Sequence, residues 1–202
     1  MKLLDDGKLD IVIYDSSDWA GEQLRWSWVA GGKFYKMFGG VEHCAGFDSW
    51  QKALEWVESV EPEKKINSLQ FWGHGTPGRV WVNGDFLSAR SVMPTSAHYP
   101  LLQKLKSRLT ADSLVWFRSC NVFTGHEGHL FATIMTSMLG CKVAAHTYIV
   151  GPWQSGLHVA EPGKAPHWPV EEGIADDGGY KWSLPWSPNT VFCLTGKIPE
   201  GW

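Results

Sequence analysis

Long apolar runs are missing from this chain. No stretch approaches the roughly 18 residues that a membrane-spanning helix needs. Runs of Lys and Arg are missing too: the net charge is −3 and the basic residues are scattered, so no electrostatic footprint for nucleic acid is present. The first ten residues, "MKLLDDGKLD", turn acidic after two adjacent leucines, too soon for a secretion signal. Neither a nucleic-acid nor a membrane partner is expected, and the cytoplasm is the expected compartment. Cysteine is sparse: Cys44, Cys120, Cys141 and Cys193 stand far apart with no CxxC pair. In the absence of a secretion signal this favours reduced thiols over bridges. Internal repeats are also lacking, and no linker is long enough to demand a second domain. One domain over residues 1–202 is expected, with a core of about 9–151 and an irregular Trp-, Pro- and Gly-rich region from about 152.

Tryptophan is abundant, with 13 residues. Large aromatics mostly serve burial, and some of these could line a substrate groove. "LDIVIYD" (9–15), "INSLQFWG" (66–73), "SLVWFRSC" (113–120) and "CKVAAHTYIVG" (141–151) are short apolar runs of the kind that form strands buried on both faces. "RVWVNG" (79–84) and "TVFCLTG" (190–196) predict further short strands, and "RWSWVAGGKFYKMFGG" (25–40) a hairpin around Gly31–Gly32. Helices are expected over 48–60, with Asp48 as N-cap and Trp50, Leu54 and Val57 on one face. A second is expected over 98–109, with Leu101, Leu105 and Leu109 inward and Lys104, Lys106 and Arg108 outward. A third is expected over 124–140, with Thr124 and Glu127 at capping-box spacing and Gly140 as the stop. Strands alternating with helices imply βαβ units and a mostly parallel central sheet.

In such a sheet, ligands bind at the carboxyl ends of the parallel strands. Two strands end in chemically useful residues. One runs into Gly73-His74-Gly75, the other into Arg118-Ser119-Cys120-Asn121. Neighbouring parallel strands would bring His74 and Cys120 to one edge, with the imidazole as base and the thiol as nucleophile. The helix that follows Cys120 is expected to lower the thiol pKa. The N–H groups of Gly75 and Cys120 are candidates for an oxyanion hole.

"LQFWGHG" followed by "SLVWFRSCN" resembles the caspase-like cysteine peptidases of clan CD. Their shared pattern is one hydrophobic block ending in His-Gly and another ending at the catalytic Cys. The segment from Ile66 to Gly151 is similar, more closely, to an uncharacterised caspase-like domain of large bacterial surface proteins, with its His-Gly turn, Gly-Cys-Asn site and strand like "GCKVAAHTYIVG". The resemblance implies an α/β, caspase-like three-layer sandwich with a mostly parallel central sheet and helices on both faces. It implies a cysteine endopeptidase with His74 as base and Cys120 as nucleophile, acting on a protein or peptide substrate without a cofactor. By the same resemblance the residue two before the nucleophile, Arg118, borders the pocket for the substrate side chain. Its guanidinium favours an acidic residue there, and Arg25 is a candidate second charge. The acidic loop "EEGIADDGGY" (171–180) then offers self-cleavage sites after Asp176 or Asp177. The context "RSCNV" departs from the Gln-Ala-Cys of caspases, so their specificity does not carry over. The alternative is an inactive caspase-like fold serving as an interaction or adhesion module, its aromatics forming a partner surface.

"HEGH" (126–129) is one residue short of the zinc motif H-E-x-x-H, so no metal site is expected from it. His146 suits a satisfied sheet histidine. His43 and Cys44 are adjacent on a strand, where neighbouring side chains point apart, and do not form a dyad.

Overall fold

The computed structural model describes residues 7–17 and 41–199. The segment 25–40, expected as a hairpin, and Arg25 with it, lie outside the described residues. The central sheet has six strands: β1 (Lys8–Asp15), β2 (His43–Phe47), β3 (Lys65–Trp72), β7 (Leu114–Arg118), β8 (Lys142–His146) and β10 (Leu157–Ala160). They lie in the order β10-β8-β7-β3-β1-β2. All neighbours are parallel except β10, which runs antiparallel to β8. A small antiparallel sheet follows β3: β4 (His74–Thr76), β5 (Arg79–Val82) and β6 (Asp85–Ser88). A third, of two strands, pairs β9 (Trp153–Gln154) with β11 (Val191–Phe192).

The described α-helices are α1 (Trp50–Ser59), α2 (Tyr99–Arg108) and α3 (Gly125–Leu139). All three pack on one face of the sheet. Alternate strand residues such as Ile11, Ile13, Leu69, Phe71, Val115, Phe117 and Val143 meet Trp50, Leu54, Leu102, Leu105, Phe131 and Met135 there. Helices on both faces were expected, but the described residues put none on the other. There the C-terminal segment supplies Val191 and Ile198 against Trp116, Ala144 and Leu157. The chemistry of that face explains the difference. It carries Gln70 and Arg118, which need carbonyl partners, and irregular chain offers carbonyls that a helix has already used.

Helix termini follow local chemistry. The N-cap of α1 is Ser49, not Asp48: the Ser49 hydroxyl accepts the Lys52 N–H, while Asp48 pairs with the Lys52 ammonium at 2.8 Å. Gly140 ends α3 in the left-handed conformation (φ 69°), which a side chain resists. Thr124 is the N-cap of α3 but makes no capping bond. Its hydroxyl donates instead to the Thr147 carbonyl at 2.6 Å, tying the loop after β7 to the end of β8.

On α2, Leu102, Leu105 and Arg108 are buried, so Arg108 is not the outward cation its spacing implied. It donates to the carbonyls of Val57, Glu58, Glu61 and Lys64. These lie at the end of α1 and the turn beyond it, where carbonyls lack helical partners. Arg108→Met should cost about 3 kcal/mol, because several charge-assisted bonds disappear together and leave carbonyls without a donor. Urea unfolding measures this, and a loss below about 1 kcal/mol would mean that water replaces the guanidinium.

Candidate active site at the carboxyl edge of the sheet

β3 and β7 are neighbours and parallel, with Trp72 opposite Arg118 in the last pair. His74 and Cys120 each stand two positions beyond that pair. The strand ends therefore deliver both residues to the same edge at the same level. Gly75 shows how closely the two ends approach. A Cβ there would lie 2.7 Å from the Cys120 carbonyl oxygen and 2.8 Å from the Ser119 Cβ. Only glycine fits, so the His-Gly turn packs directly on the backbone carrying Cys120. The Gly78 N–H adds a bond to the Val122 carbonyl at 3.0 Å.

The loop after β7 is held on its other side by the end of β8. Asn121 takes a left-handed conformation (φ 59°), which Asn tolerates better than most residues. Its N–H donates to the Tyr148 carbonyl and its amide to the Thr147 carbonyl. The Cys120 thiol is partly buried, with Sγ 3.9 Å from the Val150 carbonyl. The His74 ring stacks on Trp81, with centroids 5.6 Å apart and planes 16° from parallel.

Burial decides the protonation states. It pushes the Cys120 thiol up, against smaller effects from backbone contacts. It pushes His74 down, opposed by the negative charge of Asp15. The expected lowering of the thiol pKa by the following helix is not seen. That helix begins only at Gly125, and a helix-end charge falls off within a turn. Both shifts favour the uncharged forms, a thiol at Cys120 and a neutral imidazole at His74. Cys141, fully buried, is pushed up to about 12. None of the four cysteines is in a disulfide. Iodoacetamide labelling at pH 7 should therefore be slow at Cys120 and slowest at Cys141, with the Cys120 rate rising about tenfold per pH unit towards pH 9 as thiolate forms. Mass spectrometry of the labelled peptides reads this. Rapid Cys120 labelling near pH 6 would mean a resting thiolate.

Arg118 is at the expected place, two positions before Cys120, but its donors are committed elsewhere. Nε donates to Gln154 at 2.9 Å. Nη1 donates to Gln70 at 3.2 Å and to the Thr195 carbonyl at 3.0 Å. Nη2 donates to the carbonyls of Cys193 at 2.7 Å and Phe192 at 3.5 Å. These acceptors account for the five N–H groups of a guanidinium. The group also lies 4.3 Å from the Trp116 ring and 5.6 Å from that of Trp72. A substrate carboxylate could reach it only if Phe192–Thr195 withdrew. Asp176 and Asp177 are exposed in the acidic loop, while the Arg118 donors already have acceptors among the described residues.

Other histidines have other partners. His146 is fully buried, accepting from the Trp116 indole at 3.2 Å and lying 3.1 Å from the Ser155 carbonyl, as a satisfied sheet histidine should. His43 pairs with Glu61 at 2.8 Å and does not serve Cys44. His126 is exposed, and His129 stands edge-on to Trp168. Among the described residues no three His, Cys, Asp or Glu side chains converge to hold a metal ion, and no helix is long and apolar enough to cross a membrane. Sequence reasoning missed Asp15, fully buried at the end of β1. The signal was an acid closing the apolar run "IVIYD".

Residues 43–158, more than half of the chain and including both His74 and Cys120, match a family described as a domain of unknown function (DUF4347). The chain belongs to that family. A comparison with curated proteins finds no match.

Proposed function

We propose that this protein is a caspase-like cysteine endopeptidase that hydrolyses peptide bonds with Cys120 as nucleophile and His74 as base. The observation that carries the reading is the register of β3 against β7, with His74 and Cys120 equally far beyond the Trp72–Arg118 pair. The His-Gly block and the Cys block that resemble clan CD peptidases thereby become adjacent in space.

Because both groups rest neutral, proton transfer accompanies attack. The Cys120 S–H proton moves to His74 as the sulfur pair bonds to the substrate carbonyl carbon. The N–H groups of Gly75 and Cys120 receive the oxyanion. His74 returns the proton to the departing amine as the C–N bond breaks, leaving a thioester. Water then attacks with His74 as base, and the proton ends on the leaving sulfur. No step uses a metal or cofactor, and the reduced thiols suit a reducing compartment. Specificity for acidic residues is not included in this reading, since the Arg118 donors are occupied.

A second reading, a non-catalytic interaction module, draws on the exposed aromatics of the C-terminal segment. Trp182 is 67% exposed and Trp186 78%, and indoles that join into one apolar patch would form a binding surface. A peptide-library cleavage assay separates the two. Turnover that is absent from Cys120→Ala supports the peptidase, and no turnover of any peptide supports the module.

A further inference from the structure

β1 ends in a carboxylate that has been taken out of water. Asp15 is 0% exposed. Its Oδ1 accepts the Ser17 N–H at 2.9 Å. Its Oδ2 has no hydrogen-bond partner among the described residues. Burying a carboxylate with half of its acceptor capacity unused costs on the order of several kcal/mol. If the residue served only to turn the chain at Ser17, Asn or Ser would accept the same N–H without a charge. A charge held there calls for a group to act on.

The topology supplies one. β1 lies between β2 and β3. Tyr14 is opposite Trp72 in the last β1–β3 pair, so Asp15 follows directly on one strand and His74 two positions on along the next. The strand order also reverses here. The chain leaving β1 goes on to β2 on one side, and the chain leaving β3 goes on towards β7 on the other. Such a reversal opens a crevice at the carboxyl ends, which is where α/β sheets hold their ligands. Asp15 and His74 mark its two sides. The carboxylate acts on the imidazole through space, raising its proton affinity against the larger opposing effect of burial.

We propose that Asp15 is the positioning residue of the site, a buried carboxylate that stabilises the imidazolium formed when His74 takes the Cys120 proton. This rests on the peptidase reading above for its catalytic meaning. The electrostatic coupling of Asp15 to His74 stands apart from turnover and is tested apart from it.

The experiment is an NMR titration of the ring of His74 in the full chain, assigned with His74→Gln. In Asp15→Asn, which keeps an acceptor for the Ser17 N–H, the His74 midpoint should fall. Asp15→Glu, which keeps the charge, should bring it back towards the wild-type value. In the active enzyme Asp15→Asn should lower kcat about 100-fold, with little change in KM, because the carboxylate matters only once the imidazolium exists. An unmoved His74 midpoint overturns the proposal, as does a normal kcat in Asp15→Asn. If Asp15→Asn does not fold, the wild type serves. The chemical shift of the Asp15 carboxyl carbon should change at the His74 midpoint, and the absence of that change overturns the coupling. Failure of the peptidase reading looks different: no peptide is turned over by any variant, whatever the titration gives.

Discussion

Cys120→Ala is expected to abolish peptide hydrolysis, with a loss of at least about 10⁴-fold in kcat/KM, because no other group at this edge can form the thioester. His74→Gln should lose less at high pH than at neutral pH. The raised thiol pKa means that at pH 7 nearly every Cys120 waits for a base. Without His74 the rate should fall by about 10² to 10⁴-fold at pH 7, then climb as hydroxide does the deprotonation. The double variant should be no worse than Cys120→Ala alone, since residues acting as a unit do not contribute additively. Fluorogenic peptides across pH 6–9 measure all three. Cys120→Ala with wild-type turnover removes the mechanism, and a His74→Gln profile parallel to wild type removes the imidazole from it.

The second large effect concerns acid. His146 is held neutral by burial and by a neighbouring Arg118 charge, with its pKa pushed down to about 3. Unfolded, it takes a proton near its ordinary 6.5. Between those values the unfolded chain binds a proton that the folded one refuses, so stability falls as pH falls. The loss from this residue should reach about 2 kcal/mol at pH 5. His74 and His129, also pushed down by burial, act with the same sign. Urea unfolding at pH 7 and pH 5 should show the drop. His146→Gln, which can still accept from Trp116 and donate to Ser155, should show a smaller one. Equal wild-type stability at the two pH values would mean that His146 charges within the fold.

Most of the sheet was legible because β1, β3, β7 and β8 are buried on both faces and appear as unbroken apolar runs with β-branched and aromatic residues. The candidate site was legible for the same reason, since His74 and Cys120 follow directly on two such runs. The short strands β4, β6, β9 and β10 carry too few residues to show a period. The burial of Arg108 and the internal partners of Arg118 were not legible, for a different reason. Spacing gives a helix face or a position before a nucleophile, but the acceptors that bury each guanidinium come from distant segments, Val57–Lys64 for one and Gln154 with Phe192–Thr195 for the other. Asp15 escaped notice because a terminal acid on a strand looks solvated until its neighbours on both sides are known.

The Arg118 contacts also set an order of events during synthesis. When the ribosome has released the chain through β8, the central strands and three helices are available, and of the guanidinium's acceptors among the described residues Gln70 has been made. Gln154 comes next, and the Phe192, Cys193 and Thr195 carbonyls only after a further stretch of translation. The described contacts of this guanidinium are therefore completed last, by the C-terminal segment. Residues that read from the sequence as an irregular C-terminal region thereby complete the interior of that face.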